Sequence, residues 1–114
     1  MYKLSEKAGQ LDPKVLDILP ECTRKVRNYD TDAAVILYGS QARGKAGKDS
    51  DMDMLILLSH SIPAETLNKL HDDIYETSLA NDIVISCIIK PRSSWENLSH
   101  RLQIYIIQSR SKGY

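Results

Sequence analysis

Apolar positions recur at helical spacing in the first part of the chain. Val15, Ile18, Leu19, Cys22 and Val26 fall on one face of a helix, and Asp12-Pro13 supplies an N-cap followed by a proline at the first helical position. Pro20 interrupts this pattern and predicts a kink or a restart, because the residue before a proline is pushed away from helical angles. Ala33 to Tyr38 is a short apolar run rich in β-branched residues, bounded by Asp32 and Gly39, and reads as a buried strand. Asp51 to Leu58 alternates and then turns continuously apolar, as a central strand does. Leu67, Leu70, Ile74 and Leu79 lie among charged residues and predict an amphipathic helix from Pro63 to Leu79, opened by Ser61 or Pro63. Asp82 to Ile89 is an Ile- and Val-rich strand that Pro91 ends. Ser93-Ser94-Trp95-Glu96 is a capping-box pattern, and Trp95, Leu98, Leu102, Tyr105 and Ile106 mark the inward face of a last helix. Arg110 to Tyr114 reads as a frayed tail or a partner-binding end.

The order helix, strand, loop, strand, helix, strand, helix predicts an α+β fold. The first two strands, joined by a short connection, pair closely, and the helix between the second and third permits a crossover. The expectation is a small mixed β-sheet of three to four strands flanked by helices. With 114 residues, the expectation is a single domain spanning 1–114.

Composition removes function classes. Fifteen basic residues balance fifteen acidic ones, which argues against a protein that coats nucleic acid. No apolar run approaches the roughly 18 residues of a membrane span, and MYKLSEKAGQ lacks the apolar core of a signal peptide. A cytoplasmic location with no membrane partner is expected. Cys22 and Cys87 fit no metal spacing and read as small core hydrophobes. His60, His71 and His100 show no mutual metal spacing, and Asp72, Asp73 and Glu76 read as a solvated helix face.

The chemistry concentrates between the first two strands, in LYGSQARGKAGKDSDMDMLILL from Leu37 to Leu58. Asp51 and Asp53 stand at i and i+2 on a strand and therefore share one face, while Met52 and Met54 point the other way as packing residues. Two aligned carboxylates repel unless a cation lies between them, and hard oxygen donors select Mg²⁺ or Mn²⁺ over zinc. Gly39 permits a tight turn and close backbone approach. Ser40 can donate its hydroxyl and precedes backbone N–H groups that could face a phosphate. Arg43, Lys45 and Lys48 lie in the same loop, either as phosphate neutralisers or as solvated loop surface. Asp82, expected to open the third strand, is the candidate third carboxylate for activating an incoming hydroxyl. The alternative for it is a strand-start aspartate that caps a turn with Asn81.

GSQARGKAGKDSDMD resembles the nucleotidyltransferases of the DNA polymerase β superfamily, and more narrowly the minimal nucleotidyltransferases. Gly39, Ser40, Ala42, Arg43, Gly44, Ser50, Asp51 and Asp53 all match the pattern of GS, ten residues and DxD. The resemblance implies a polymerase β-like core. It implies that Gly39, Ser40, Arg43 and Ser50 hold the nucleotide and that Asp51, Asp53 and Asp82 are catalytic metal ligands. It also implies two Mg²⁺ ions, with ATP as substrate. Such proteins often accompany an all-helical HEPN toxin as its antitoxin, and some transfer AMP from ATP onto a tyrosine of that toxin. Nothing after about Ser109 is long enough for an acceptor-binding domain, which fits an acceptor hydroxyl supplied by a HEPN-type partner protein. The alternatives are an antitoxin that masks its partner without catalysis and a nucleotidyltransferase acting on a small molecule.

Overall fold

A computed structural model describes residues 2–3, 9, 11–39, 51–97 and 107–109. Its elements are β1 (Tyr2–Lys3), α1 (Pro13–Arg27), β2 (Ala34–Tyr38), β3 (Met52–Leu58), α2 (Ala64–Asn81), β4 (Ile85–Pro91), a 3₁₀ turn (Arg92–Ser94) and β5 (Ile107–Ser109). The fold is α+β, a mixed sheet flanked by helices, in keeping with a polymerase β-like nucleotidyltransferase core. The sheet order is β1-β5-β2-β3-β4. β2 runs antiparallel to β3 and β5, β3 runs parallel to β4, and β1 runs parallel to β5. Three of these five strands are the ones the apolar pattern predicts.

α1 begins as expected. The Asp12 carboxylate accepts the Lys14 N–H at 2.8 Å, and Pro13 needs no partner because it has no N–H to satisfy. The helix nevertheless runs unbroken through Pro20. A proline inside a helix costs about 3 kcal/mol. Val15, Ile18, Leu19, Cys22 and Val26 are all fully buried on one face, and burial of one such side chain contributes about 1.5–3 kcal/mol. Five such burials outweigh one proline.

α2 follows its predicted span with one correction at Leu79, which is 63% exposed. It lies nine residues beyond the buried Leu70, half a revolution around the helix, so the inward face takes Ile74, Thr77 and Ser78 instead. Asp73 is also drawn in from the expected solvated face. It accepts a hydrogen bond from the Tyr29 hydroxyl, while the Lys25 ammonium donates to the Asp73 carbonyl and to Thr77 Oγ1. These contacts join α1 to α2.

Both helices cover the sheet face that carries Val35, Leu37, Met52, Met54, Ile56 and Leu58. Met52 and Met54 are fully buried there, as expected of packing residues. Cys22 and Cys87 lie in the same layer as free thiols, each pushed up to about 12, foremost by burial. The opposite face holds a smaller cluster of Ala34, Ile36, Leu55 and Leu57, against which Tyr38 and Trp95 pack. Trp95 is thus a packing residue. Leu98, Leu102, Tyr105 and Ile106 lie outside the described residues. The strand at Ile107–Ser109 and the one at Tyr2–Lys3 were not predicted. Two or three residues carry no readable periodicity, and only pairing across the sheet defines them. Among the described residues, no helix is long and apolar enough to cross a membrane.

Candidate active site

The antiparallel register of β2 and β3 sets Tyr38 opposite Asp53. The parallel register of β3 and β4 sets Asp53 beside Ser86. Because cross-strand partners point to the same face, Tyr38, Asp53 and Ser86 share the face opposite the helices. Asp51, two residues before Asp53, is exposed at the entry to β3. There the Met52 N–H donates to the Val84 carbonyl at 2.8 Å and ties that entry to the chain leading into β4. The carboxylate pair therefore stands at the N-terminal end of a strand held on both sides.

Gly39 follows β2 directly and has φ +77°, a conformation that side chains strongly disfavour. A Cβ built on Gly39 would lie 2.6 Å from Asp53 Oδ2 and 3.4 Å from its Cγ. Real Cβ atoms do not come that close. Only glycine lets the turn after β2 pass against the Asp53 carboxylate, so this residue is required twice, by angle and by space.

Electrostatics single out the same carboxylate. Burial, and after it the charge of Asp51, hold the Asp53 carboxyl above its ordinary value. Tyr38 is likewise raised, first by burial, then by the Asp53 and Cys87 charges. The donor set is two carboxylates whose mutual repulsion a divalent cation would relieve, beside a glycine turn that passes close to Asp53 Oδ2. The residues fit Mg²⁺ or Mn²⁺ better than zinc.

A family model described as a nucleotidyltransferase domain matches residues 16–110. The chain belongs to this nucleotidyltransferase family. Comparison with curated proteins returned no match.

The placement of the nucleotidyltransferase's predicted site residues is uneven. Gly39 lies against Asp53, and Asp51 stands exposed two residues before it, just outside β3 rather than within the strand. Ser40, Arg43 and Ser50 lie outside the described residues, as do Ala42, Gly44, Lys45 and Lys48. Asp82 does not open the third strand. It is exposed and takes the left-handed conformation that closes α2, with φ 51° and ψ 48°, and β4 begins only at Ile85. The Ile83 N–H returns to the Ser78 carbonyl at 3.1 Å, which completes the helix stop. Aspartate tolerates this conformation better than most residues, so local backbone preference overrode the strand pattern. Among the described residues, no three His, Cys, Asp or Glu side chains gather into a metal-holding group. Sequence reasoning missed Tyr38, whose place opposite Asp53 depends on register.

Proposed function

We propose that this nucleotidyltransferase transfers AMP from ATP to a hydroxyl of a partner protein, a tyrosine of a HEPN-type toxin, and so acts as its antitoxin. The observation that carries the nucleotidyl-transfer reading is the Gly39 turn pressed against the Asp53 carboxylate. Resemblance to the minimal nucleotidyltransferases supports the ATP, HEPN and tyrosine parts of the reading.

In this mechanism Asp51 and Asp53 hold the divalent metal ions. Bound there, Mg²⁺ supplies positive charge to the triphosphate oxygens. Gly39 and Ser40 cradle the phosphates on backbone N–H groups, and Arg43 and Ser50 add donors. The acceptor oxygen bonds to the α-phosphorus and the bond from that phosphorus to the bridging oxygen breaks. Pyrophosphate leaves with the electron pair, and the hydroxyl proton passes to a carboxylate. Asp82 is assigned that base role from the turn before β4. The resemblance to the minimal nucleotidyltransferases supports the assignment.

The test is incubation with the HEPN partner, α-labelled ATP and Mg²⁺. Label on a partner tyrosine is expected. Tight complex formation without label would overturn the catalytic reading. The second reading, masking without catalysis, draws on the separation of Asp82 from the carboxylate pair. It requires that Asp51→Asn with Asp53→Asn still neutralise the toxin. Lost neutralisation with the complex intact refutes masking.

A further inference from the structure

Among the described strands, β4 is paired on one side only. It lies at the end of the sheet beyond β3, and its other edge has no described strand against it. The backbone groups on that free edge follow from the ladder. The Met52 N–H donates to the Val84 carbonyl, and the register from there is parallel and regular. Bonding alternates along such a strand, so Ser86, Ile88 and Lys90 turn their N–H and C=O groups toward β3. Ile85, Cys87 and Ile89 turn theirs outward. Pro91 falls in the outward set, where a strand tolerates a residue without an N–H.

Exposed apolar surface collects along the same edge. Tyr75, Leu79, Val84 and Ile88 are the exposed large apolar side chains among the described residues, with accessibilities between 36% and 63%. Val84 and Ile88 lie at the entry to β4 and within it. Tyr75 and Leu79 stand on the last two turns of α2, where with Ser78, Ile83 and Ile85 they line a groove of about 350 Å³. Single apolar side chains on a surface need no explanation, but four beside one unpaired edge mark an interaction surface.

The strand is complementary to itself. Set antiparallel to a second copy, with Cys87 opposite Cys87, Ile85 meets Ile89 and Ile89 meets Ile85. Every outward N–H and C=O of these three residues then has a partner, and Pro91 has no donor to supply. Centring the pair on Ile88 instead sets Ile85 against Pro91 and strands the Ile85 carbonyl. On the helix side, Ile89 of the second copy comes to lie beside Ile85, at the groove that Tyr75 and Leu79 line. On the other side Lys90 stands opposite Val84, and its methylene stem covers it. Just past the strand ends, Asp82 comes opposite Arg92. The Asp82 carboxylate is exposed and has no hydrogen bond or ion pair among the described residues. Arg92 gives one arm of its guanidinium to the Asp32 carbonyl and keeps further donors. Opposite charges therefore meet at both ends of the paired strands, which selects a second copy over an unrelated strand as the occupant.

We propose that this protein pairs with a second copy of itself through β4, antiparallel and centred on Cys87, to form one continuous sheet across a two-fold axis. The pairing is independent of the nucleotidyl-transfer reading. An isologous contact of this kind closes at two chains. Sedimentation velocity of the whole chain, from micromolar to millimolar concentration, should show a species of twice the 12.9 kDa chain mass and none larger. Val84→Lys sets like charges opposite Lys90 at two places and should weaken the dimer about tenfold, with an unchanged circular dichroism spectrum. Val84→Glu meets the same lysine with the opposite charge and should keep the dimer. Adding Lys90→Glu to Val84→Lys should restore it. Amide hydrogen exchange reads the register directly. Ile85, Cys87 and Ile89 should slow as concentration rises, while Ser86, Ile88 and Lys90 are slow throughout. A monomer up to millimolar concentration, whatever else binds that edge, overturns the proposal. So do assembly beyond two chains, a dimer indifferent to Val84→Lys, a charge swap that fails to restore it, or concentration-dependent protection confined to other residues.

Discussion

Two carboxylates at opposite ends of β3 are treated by the protein in opposite ways. Asp30 is 2% exposed and accepts the Ser59 N–H at 2.6 Å, the Ser59 hydroxyl at 2.6 Å and the Asp32 N–H at 3.1 Å. Burial alone would raise its carboxyl, but these hydrogen bonds, with His60 adding to them, hold it below the ordinary value. Asp53 receives no comparable set of donors among the described residues, and burial and Asp51 both raise it. The protein makes the charge on Asp30 easy to hold and the charge on Asp53 costly. A carboxylate satisfied by its own chain serves the fold, whereas one left in want of positive charge is poised for a ligand.

The largest expected effect follows from removing the unsatisfied pair. Asp51→Asn or Asp53→Asn should lower label transfer at least 1000-fold, about 4 kcal/mol of transition-state stabilisation, with an unchanged circular dichroism spectrum. Asp82→Asn, which removes the assigned base and leaves the metal pair, should lose about 100-fold. Equal losses in all three variants would place Asp82 within the pair and break the distinction drawn from its helix-stop geometry.

Asp30→Ala comes next and acts on the other carboxylate. It strands the donors of Ser59 and Asp32 and should cost about 3 kcal/mol in urea unfolding, with transfer activity per folded molecule retained. The pH dependence has a definite sign. The folded value of Asp30 lies below its unfolded value of about 3.9, so its contribution is complete above that pH and is lost as pH falls through the folded value. The stability gap between the wild type and Asp30→Asn should therefore narrow below about pH 4.

Gly39→Ala probes the contact between turn and carboxylate. Positive φ and the close approach to Asp53 should together cost about 1–2 kcal/mol. Transfer should fall more than tenfold as Asp53 is displaced. Unchanged activity would show that Asp53 does not need the turn.

The smallest effect runs in the opposite direction. With its folded value raised, Asp53 destabilises the fold when ionised, above that value, and does not below the unfolded one. Asp53→Asn should therefore raise Tm at pH 7, by on the order of 2 °C after solvent screening. The gain should vanish as pH falls toward about 4. In the wild type, added Mg²⁺ should produce a similar rise that the variant lacks.

The local pattern was sufficient for three strands, two helices and the glycine turn after β2, because each rests on short-range rules. Alternation puts Asp53 on the face opposite Met52 and Met54, a five-residue apolar run makes a strand, and a glycine permits a turn that other residues resist. The helix through Pro20 was not legible, since the five burials that hold it come from packing. The exposure of Leu79 was missed because its apolar character was counted without its angle from Leu70.

Sequence by itself determined the nucleotidyltransferase motif and the elements that carry it, through residue type and periodicity. Tertiary structure decided what stands beside what. It set Tyr38 and Ser86 next to Asp53 through strand register, turned Asp82 into the stop of α2, drew Asp30 under Ser59, and opened a cavity at the far end of β3. These are consequences of register and crossover, which join residues distant in the chain and leave no periodic trace in it.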